Sequence, residues 1–116
     1  GFPSPAADFE ESKVSLDHLL IKNKEATFYA KASGNSMIGA GIDDGDILVI
    51  DRSLEPRNNA VAVCFIDGEF TVKRIKKTDE ALFLMPENPS YAPIQIEPHN
   101  EFIIWGIVTY VIKQIK

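Results

Sequence analysis

Residues 60–76 read Ala-Val-Ala-Val-Cys-Phe-Ile-Asp-Gly-Glu-Phe-Thr-Val-Lys-Arg-Ile-Lys. Two runs rich in β-branched and aromatic residues flank the dipeptide Asp67-Gly68, which favours a two-residue hairpin turn because both of its positions tolerate a positive φ. We therefore expect strands from Ala60 to Ile66 and from Glu69 to Lys76. This hairpin is the strongest local indication that the fold is built from antiparallel strands.

Similar runs lie on both sides of the hairpin and are bounded by turn residues such as Asp44-Gly45 and Pro86-Glu87-Asn88-Pro89. Ser15 is a good helix N-cap, and the leucines that follow it have helical spacing, so one short helix should precede the strands. The expected fold is mainly β, with short twisted antiparallel sheets and one short N-terminal helix. The remaining predicted strands are Ala26 to Ala32, Ile47 to Asp51, Ala81 to Met85 and Glu101 to Ile112.

Length and composition limit the domain organisation and the location. The 116 residues suit one domain. Residues 1–14 contain Pro3, Pro5 and an acidic run, so we expect an extended arm followed by a single domain at 15–116. Cys64 is the only cysteine, which rules out an internal disulfide. No run approaches the roughly 20 apolar residues of a membrane span, and we expect a cytoplasmic protein with no membrane association.

The charge balance bears on partners and cofactors. A net charge of -5 argues against tight sequence-independent DNA binding, which depends on neutralising phosphates with Lys and Arg. His18 and His99 are isolated, and with one cysteine they provide no ligand spacing for a metal. We therefore expect little direct nucleic-acid binding, no metal and no cofactor.

The segment from Ala32 to Met37 is the first candidate for chemistry. A predicted strand ends there in Ser-Gly-Asn-Ser, and a turn of this kind exposes a hydroxyl beside free backbone N–H groups. Nucleophilic catalysis requires that combination, with Ser36 as the nucleophile. The same residues also dominate ordinary turns, so the segment alone leaves both interpretations open.

Lys73 is the candidate base. The period of two places it on the same strand face as Thr71 and Ile75, so its side chain can point inward with Thr71 orienting the amine. A lysine has a reference pKa of about 10.4 and acts as a base near neutral pH only if burial lowers that pKa. The alternative is a solvated basic stripe with Arg74, Lys76 and Lys77, and lysine is rarely buried.

Three segments together resemble a known family, the LexA and UmuD peptidases. They are Ser-Gly-Asn-Ser-Met at 33–37, Asp-Asp-Gly-Asp-Ile-Leu-Val-Ile-Asp at 43–51, and Gly-Glu-Phe-Thr-Val-Lys-Arg at 68–74. The later segment 84–94, which contains Pro86-Glu87-Asn88-Pro89-Ser90-Tyr91, is also similar. The resemblance covers nearly the whole chain, and the paired motifs are far more specific than either one alone.

The resemblance implies a self-cleaving serine peptidase in which Ser36 is the nucleophile and Lys73 its general base. It also implies an oxyanion hole made by the backbone N–H groups of Asn35 and Ser36, with Thr71 and Met37 in supporting positions. No metal or cofactor is implied.

The segment Gly1-Phe2-Pro3-Ser4-Pro5-Ala6 is similar to the UmuD branch of the family, whose members cut themselves just before such a glycine. This implies processing before Gly1, stimulated by a RecA filament on single-stranded DNA. It further implies a homodimer that joins a UmuC-like Y-family polymerase for translesion synthesis in the SOS response to DNA damage. The alternative is the C-terminal self-cleavage and dimerisation domain of a LexA-like repressor.

Overall fold

The computed structural model describes residues 15–116. The predicted arm at 1–14 lies outside the described residues and stays a prediction. A short helix, α1 (Leu16–Leu20), begins after Ser15, whose side chain accepts a hydrogen bond from the His18 backbone N–H at 3.3 Å. Seven strands follow: β1 (Thr27–Lys31), β2 (Ile47–Asp51), β3 (Val61–Ile66), β4 (Glu69–Lys77), β5 (Leu82–Met85), β6 (Ile94–Gln95) and β7 (Phe102–Ile112).

All of these strands pair antiparallel in one sheet with the order β1-β2-β7-β3-β4-β5-β6. The predicted hairpin is confirmed: Phe65 faces Phe70 across the turn, and Asp67 and Gly68 have φ angles of 48° and 90°. Positive φ at both turn positions matches the right-handed twist of the strands on either side. The mainly β prediction is therefore correct.

Strand β7 lies inside the sheet and joins its two parts. It pairs with β2 on one side and with β3 on the other, and the register shifts within each pairing. Gly106 allows β7 to approach β2 closely, because a Cβ atom there would lie 2.6 Å from Ile50 Cγ2. Register shifts of this kind bend the strands locally.

The core consists of two clusters. The first lies between the sheet and the loop that connects β1 to β2 and includes Met37, Ile42, Leu48 and Ile50. The second surrounds Leu84, which is fully buried. The first cluster fixes the loop that carries Ser36 against the sheet, since the Met37 side chain is only 3% exposed.

The structure also differs from the sequence predictions. Helix α1 ends at Leu20, and Leu16 and Leu19 are 63% and 61% exposed, so they are not packed into the described core. Strand β6 was missed because two residues are too short to show a period. Within residues 15–116, no helix is long and apolar enough to cross a membrane.

Candidate active site

Ser36 lies in the loop that follows strand β1, and backbone hydrogen bonds close the base of this loop. The Ala32 N–H donates to the Asp46 carbonyl and the Gly45 N–H donates to the Ala32 carbonyl, both at 2.8 Å. Gly34 has a φ of 84°, a conformation that favours glycine. These contacts close the loop between Ala32 and Asp46.

Lys73 points from strand β4 toward the same loop. Its Nζ lies 3.0 Å from Ser36 Oγ, 2.7 Å from Thr71 Oγ1 and 3.1 Å from the Val72 carbonyl oxygen. The residue is only 8% exposed. It is therefore not part of a solvated basic stripe, and the structure brings Ser36, Lys73 and Thr71 into one hydrogen-bonded group.

Burial lowers the pKa of the Lys73 amine below its ordinary value, while the neighbouring Cys64 acts in the opposite direction to a smaller extent. Desolvation has this effect because it disfavours the charged ammonium form. A neutral amine has a free lone pair, which can accept the hydroxyl proton of a serine at hydrogen-bond distance. The pair can therefore generate an activated serine oxygen.

Cys64 is a core residue. It is fully buried, and burial raises the pKa of its thiol to about 11, although the positive charge of Lys73 opposes that shift. A thiol that stays protonated in the interior is a poor nucleophile.

The Ser36–Lys73 pair opens into a cleft of about 360 Å³. Thr71, Asn35 and Met37, which the sequence analysis selected, also line this cleft. Its other walls are mainly apolar, as is usual for ligand-binding clefts. They include Ala30, Leu48, Val63, Phe70, Val72 and Tyr91.

The backbone N–H groups of Asn35 and Ser36 donate no hydrogen bond to another group among residues 15–116. Both residues line the cleft, and their role as an oxyanion hole stays a prediction. His18 and His99 are exposed and do not line it. The described part of the chain also contains no cluster of three or more His, Cys, Asp or Glu side chains that could hold a metal ion.

Sequence reasoning missed the residues that support the Ser36 loop from outside. The Gly34 N–H donates to Asp44 Oδ1 at 2.7 Å. Asp46 forms an ion pair with Lys113, which also contacts Asp43 at 2.8 Å. Asp43, Asp44 and Asp46 form an acidic group around the Asp44-Gly45 turn. Its role in bracing the loop depends on contacts between distant segments, which no local pattern indicates.

A serine hydroxyl beside a buried lysine amine in one cleft is one of the variant nucleophile–base pairs of serine peptidases. Comparison with known proteins agrees: residues 1–109 match the family described as Peptidase S24-like. The chain belongs to this family of self-cleaving serine peptidases. The resemblance drawn from the sequence motifs is therefore confirmed.

Individual relatives are similar over most of the chain. Protein MucA of Escherichia coli is 40% identical over 111 residues, which cover 95% of this chain and 75% of MucA. Protein ImpA of Shigella flexneri is 38% identical over 122 residues, covering 100% of this chain and 79% of ImpA. The LexA repressor of Bordetella avium is 34% identical over 113 residues, covering 97% of this chain and 53% of the repressor.

Proposed function

We propose that this domain cleaves a peptide bond of its own polypeptide with Ser36 as the nucleophile and Lys73 as the general base. The observation that carries the proposal is the 3.0 Å separation of Lys73 Nζ and Ser36 Oγ, with a lysine that is only 8% exposed. Thr71 supports the amine from 2.7 Å.

The reaction begins when neutral Lys73 takes the Ser36 proton and Oγ attacks the scissile carbonyl carbon. The backbone N–H groups of Asn35 and Ser36 stabilise the negative oxygen that forms. The tetrahedral intermediate then breaks its C–N bond, and the Lys73 ammonium returns the proton to the leaving nitrogen. Water hydrolyses the acyl-serine ester by the same route and restores the free hydroxyl.

The proposed scissile bond lies just before Gly1, in accordance with the similarity of the Gly1-Phe2-Pro3-Ser4-Pro5 segment to UmuD-type proteins. The test uses a longer chain in which other residues precede Gly1. We expect this chain to cleave itself at that bond, which mass spectrometry of the products identifies. Ser36→Ala and Lys73→Met should each slow cleavage by at least about 10³-fold.

Two matched variants serve as controls for these substitutions. Ser33→Ala alters a neighbouring hydroxyl in the same loop, and Lys76→Met alters an exposed lysine on the same strand. Both should cleave at a rate close to that of the unmodified chain. A Lys73→Met chain that still cleaves would exclude the amine as the base, and cutting at another bond would exclude the proposed position.

In the cell, we propose that the processed protein is a homodimeric subunit of an SOS-response translesion polymerase. It would act in the cytoplasm with a UmuC-like Y-family catalytic subunit, after cleavage stimulated by a RecA filament on single-stranded DNA. The similarity to MucA and ImpA over nearly the whole chain supports this branch. The net charge of -5 is consistent with a partner making most of the DNA contact.

The second candidate function is a LexA-like repressor, because the chain is 34% identical to the Bordetella avium repressor. Binding measurements on the parent protein distinguish the two candidates. A polymerase subunit should co-purify with a Y-family polymerase and bind DNA weakly without sequence preference. Tight binding to one operator sequence would favour the repressor.

A further inference from the structure

The segment that follows strand β5 holds two successive carbonyl groups of the Ser36 loop. The Glu87 backbone N–H donates to the Ser36 carbonyl at 2.8 Å, and Asn88 Nδ2 donates to the Asn35 carbonyl at 2.9 Å. The Glu87 carbonyl in turn accepts the Gly39 N–H at 2.8 Å. The loop that carries Ser36 is thus attached to a segment about 50 residues further along the chain.

The Asn88 side chain has a defined orientation. Its Oδ1 accepts the Ser90 backbone N–H at 2.9 Å, which leaves Nδ2 facing the Asn35 carbonyl. The neighbouring Glu87 carboxylate is held by Arg74 at 2.6 Å. Asn88 therefore presents a donor from a segment that is itself fixed to the sheet.

Asn88 does not line the cleft. It borders a second hollow together with Gly39, Met85 and Pro93, and Tyr91 lies between this hollow and the cleft and lines both. A peptide in the cleft would contact the lining residues Asn35 and Ser36, and Asn88 is not one of them. Of the described groups that form the cleft wall, the Asn88 side chain hydrogen-bonds to only one, the Asn35 carbonyl, and so it is connected to the site through the Asn35–Ser36 peptide group.

A trans peptide is planar, and its N–H points away from its C=O. Asn88 Nδ2 donates to the Asn35 carbonyl, which belongs to the same peptide group as the Ser36 N–H. The Ser36 N–H therefore points away from Asn88. We propose that Asn88 is a positioning residue that aims the Ser36 N–H at the developing oxyanion. This inference rests on the proposed peptidase function and adds a residue that touches neither the substrate nor the reacting atoms.

Asn88→Asp is the most direct perturbation. A carboxylate of the same shape can still accept the Ser90 N–H, but it has no N–H to donate and would turn an oxygen toward the Asn35 carbonyl. Asn88→Ala removes both contacts without adding a charge. Loss of one oxyanion donor lowers kcat by about 10²–10³-fold, so a misaimed donor should lower it by roughly 10–100-fold.

The chain provides a matched control at Asn58. Its Nδ2 donates to the Lys77 carbonyl at 3.2 Å and its Oδ1 accepts the Lys77 N–H at 2.9 Å, so it also bridges two segments through its amide. It lies in a different hollow of the domain and does not line the cleft. Asn58→Asp therefore reproduces the chemical change without altering the Ser36 loop.

The experiment measures cleavage in trans. Each enzyme variant acts on a longer chain that supplies the bond before Gly1 and carries Ser36→Ala, at a temperature where circular dichroism shows every variant to be folded. We expect Asn88→Asp and Asn88→Ala to lower kcat at least about 10-fold, with KM within about twofold of the unmodified enzyme. The pH midpoint of the rate should not move, because Lys73 is untouched, and Asn58→Asp should retain the full rate.

The inference is overturned if both Asn88 variants keep kcat within about twofold, if KM rises while kcat is unchanged, or if Asn58→Asp loses as much activity. An unmodified domain that does not cleave the substrate overturns the proposed function, and this inference with it. An active unmodified domain with fully active Asn88 variants overturns this inference alone.

Discussion

Replacement of Lys73 by methionine removes a buried amine and keeps a side chain of similar length. Burial lowers the pKa of this amine in the folded protein. Between that lowered pKa and the unfolded value of about 10.4, the unfolded chain binds one proton that the folded chain does not bind. The folded protein therefore gains stability as the pH rises through this window, and the Lys73→Met variant lacks this contribution.

The size of the effect follows from one proton. A difference of one bound proton changes the free energy of unfolding by about 1.4 kcal/mol per pH unit. The unfolding free energy of the unmodified protein minus that of Lys73→Met should rise with this slope inside the window and be constant on either side. With a urea dependence of about 1–3 kcal/mol per molar, the separation of the midpoints changes by about 0.5–1.4 M per pH unit.

Urea unfolding, followed by the fluorescence of the single tryptophan Trp105, measures this difference from about pH 6 to about pH 10. Lys113→Met is a matched control, and its difference from the unmodified protein should stay constant over this pH range. Hydrogen bonds to Asp43 and Asp46 raise the pKa of Lys113, so its stabilising contribution is fully present below the unfolded value of about 10.4 and is lost only at higher pH. If the difference in unfolding free energy between the unmodified protein and Lys73→Met does not vary with pH, the lowered pKa of the buried Lys73 amine is refuted.

Three further predictions concern the supports of the site and the core. Thr71→Val removes the hydroxyl 2.7 Å from Lys73 Nζ and should slow cleavage about 5–10-fold in a pH-rate series, as expected for one hydrogen bond. Gly39→Ala would place a Cβ 2.6 Å from the Glu87 carbonyl oxygen and should lower the free energy of unfolding by about 1–3 kcal/mol in urea titrations. Leu84→Ala, at a fully buried position, should lower the free energy of unfolding by about 2–5 kcal/mol in the same titration. For Gly39→Ala or Leu84→Ala, a decrease in that free energy of less than about 1 kcal/mol would contradict the packing described.

The strands were predictable because their signals are local. The hairpin of β3 and β4 follows from two β-rich runs and the Asp67-Gly68 turn, and the structure reproduces it. Strand β6 and the exposed leucines of α1 were not predictable in the same way. A period shows which residues share a face, but it does not show whether anything covers that face.

The site was only partly predictable from residue patterns. Ser36 and Lys73 are 37 residues apart, and each alone was compatible with an ordinary turn or a solvated strand. The combination of motifs, compared with a known family, selected them together. The contact between Asn88 and Asn35 spans 53 residues and depends on how the segment after β5 crosses the loop, so only the folded chain reveals it.

The position of β7 in the middle of the sheet has a consequence for the timing of synthesis. Ser36 precedes β2, Lys73 lies in β4, and the strand that joins these two parts of the sheet comes after both. The ribosome synthesises the N-terminal residues first. Strands β1 and β2 therefore cannot join the β3–β4 hairpin in one sheet until β7 has been synthesised. A nascent chain therefore cannot complete the sheet that brings Ser36 and Lys73 together until residue 112 has been synthesised.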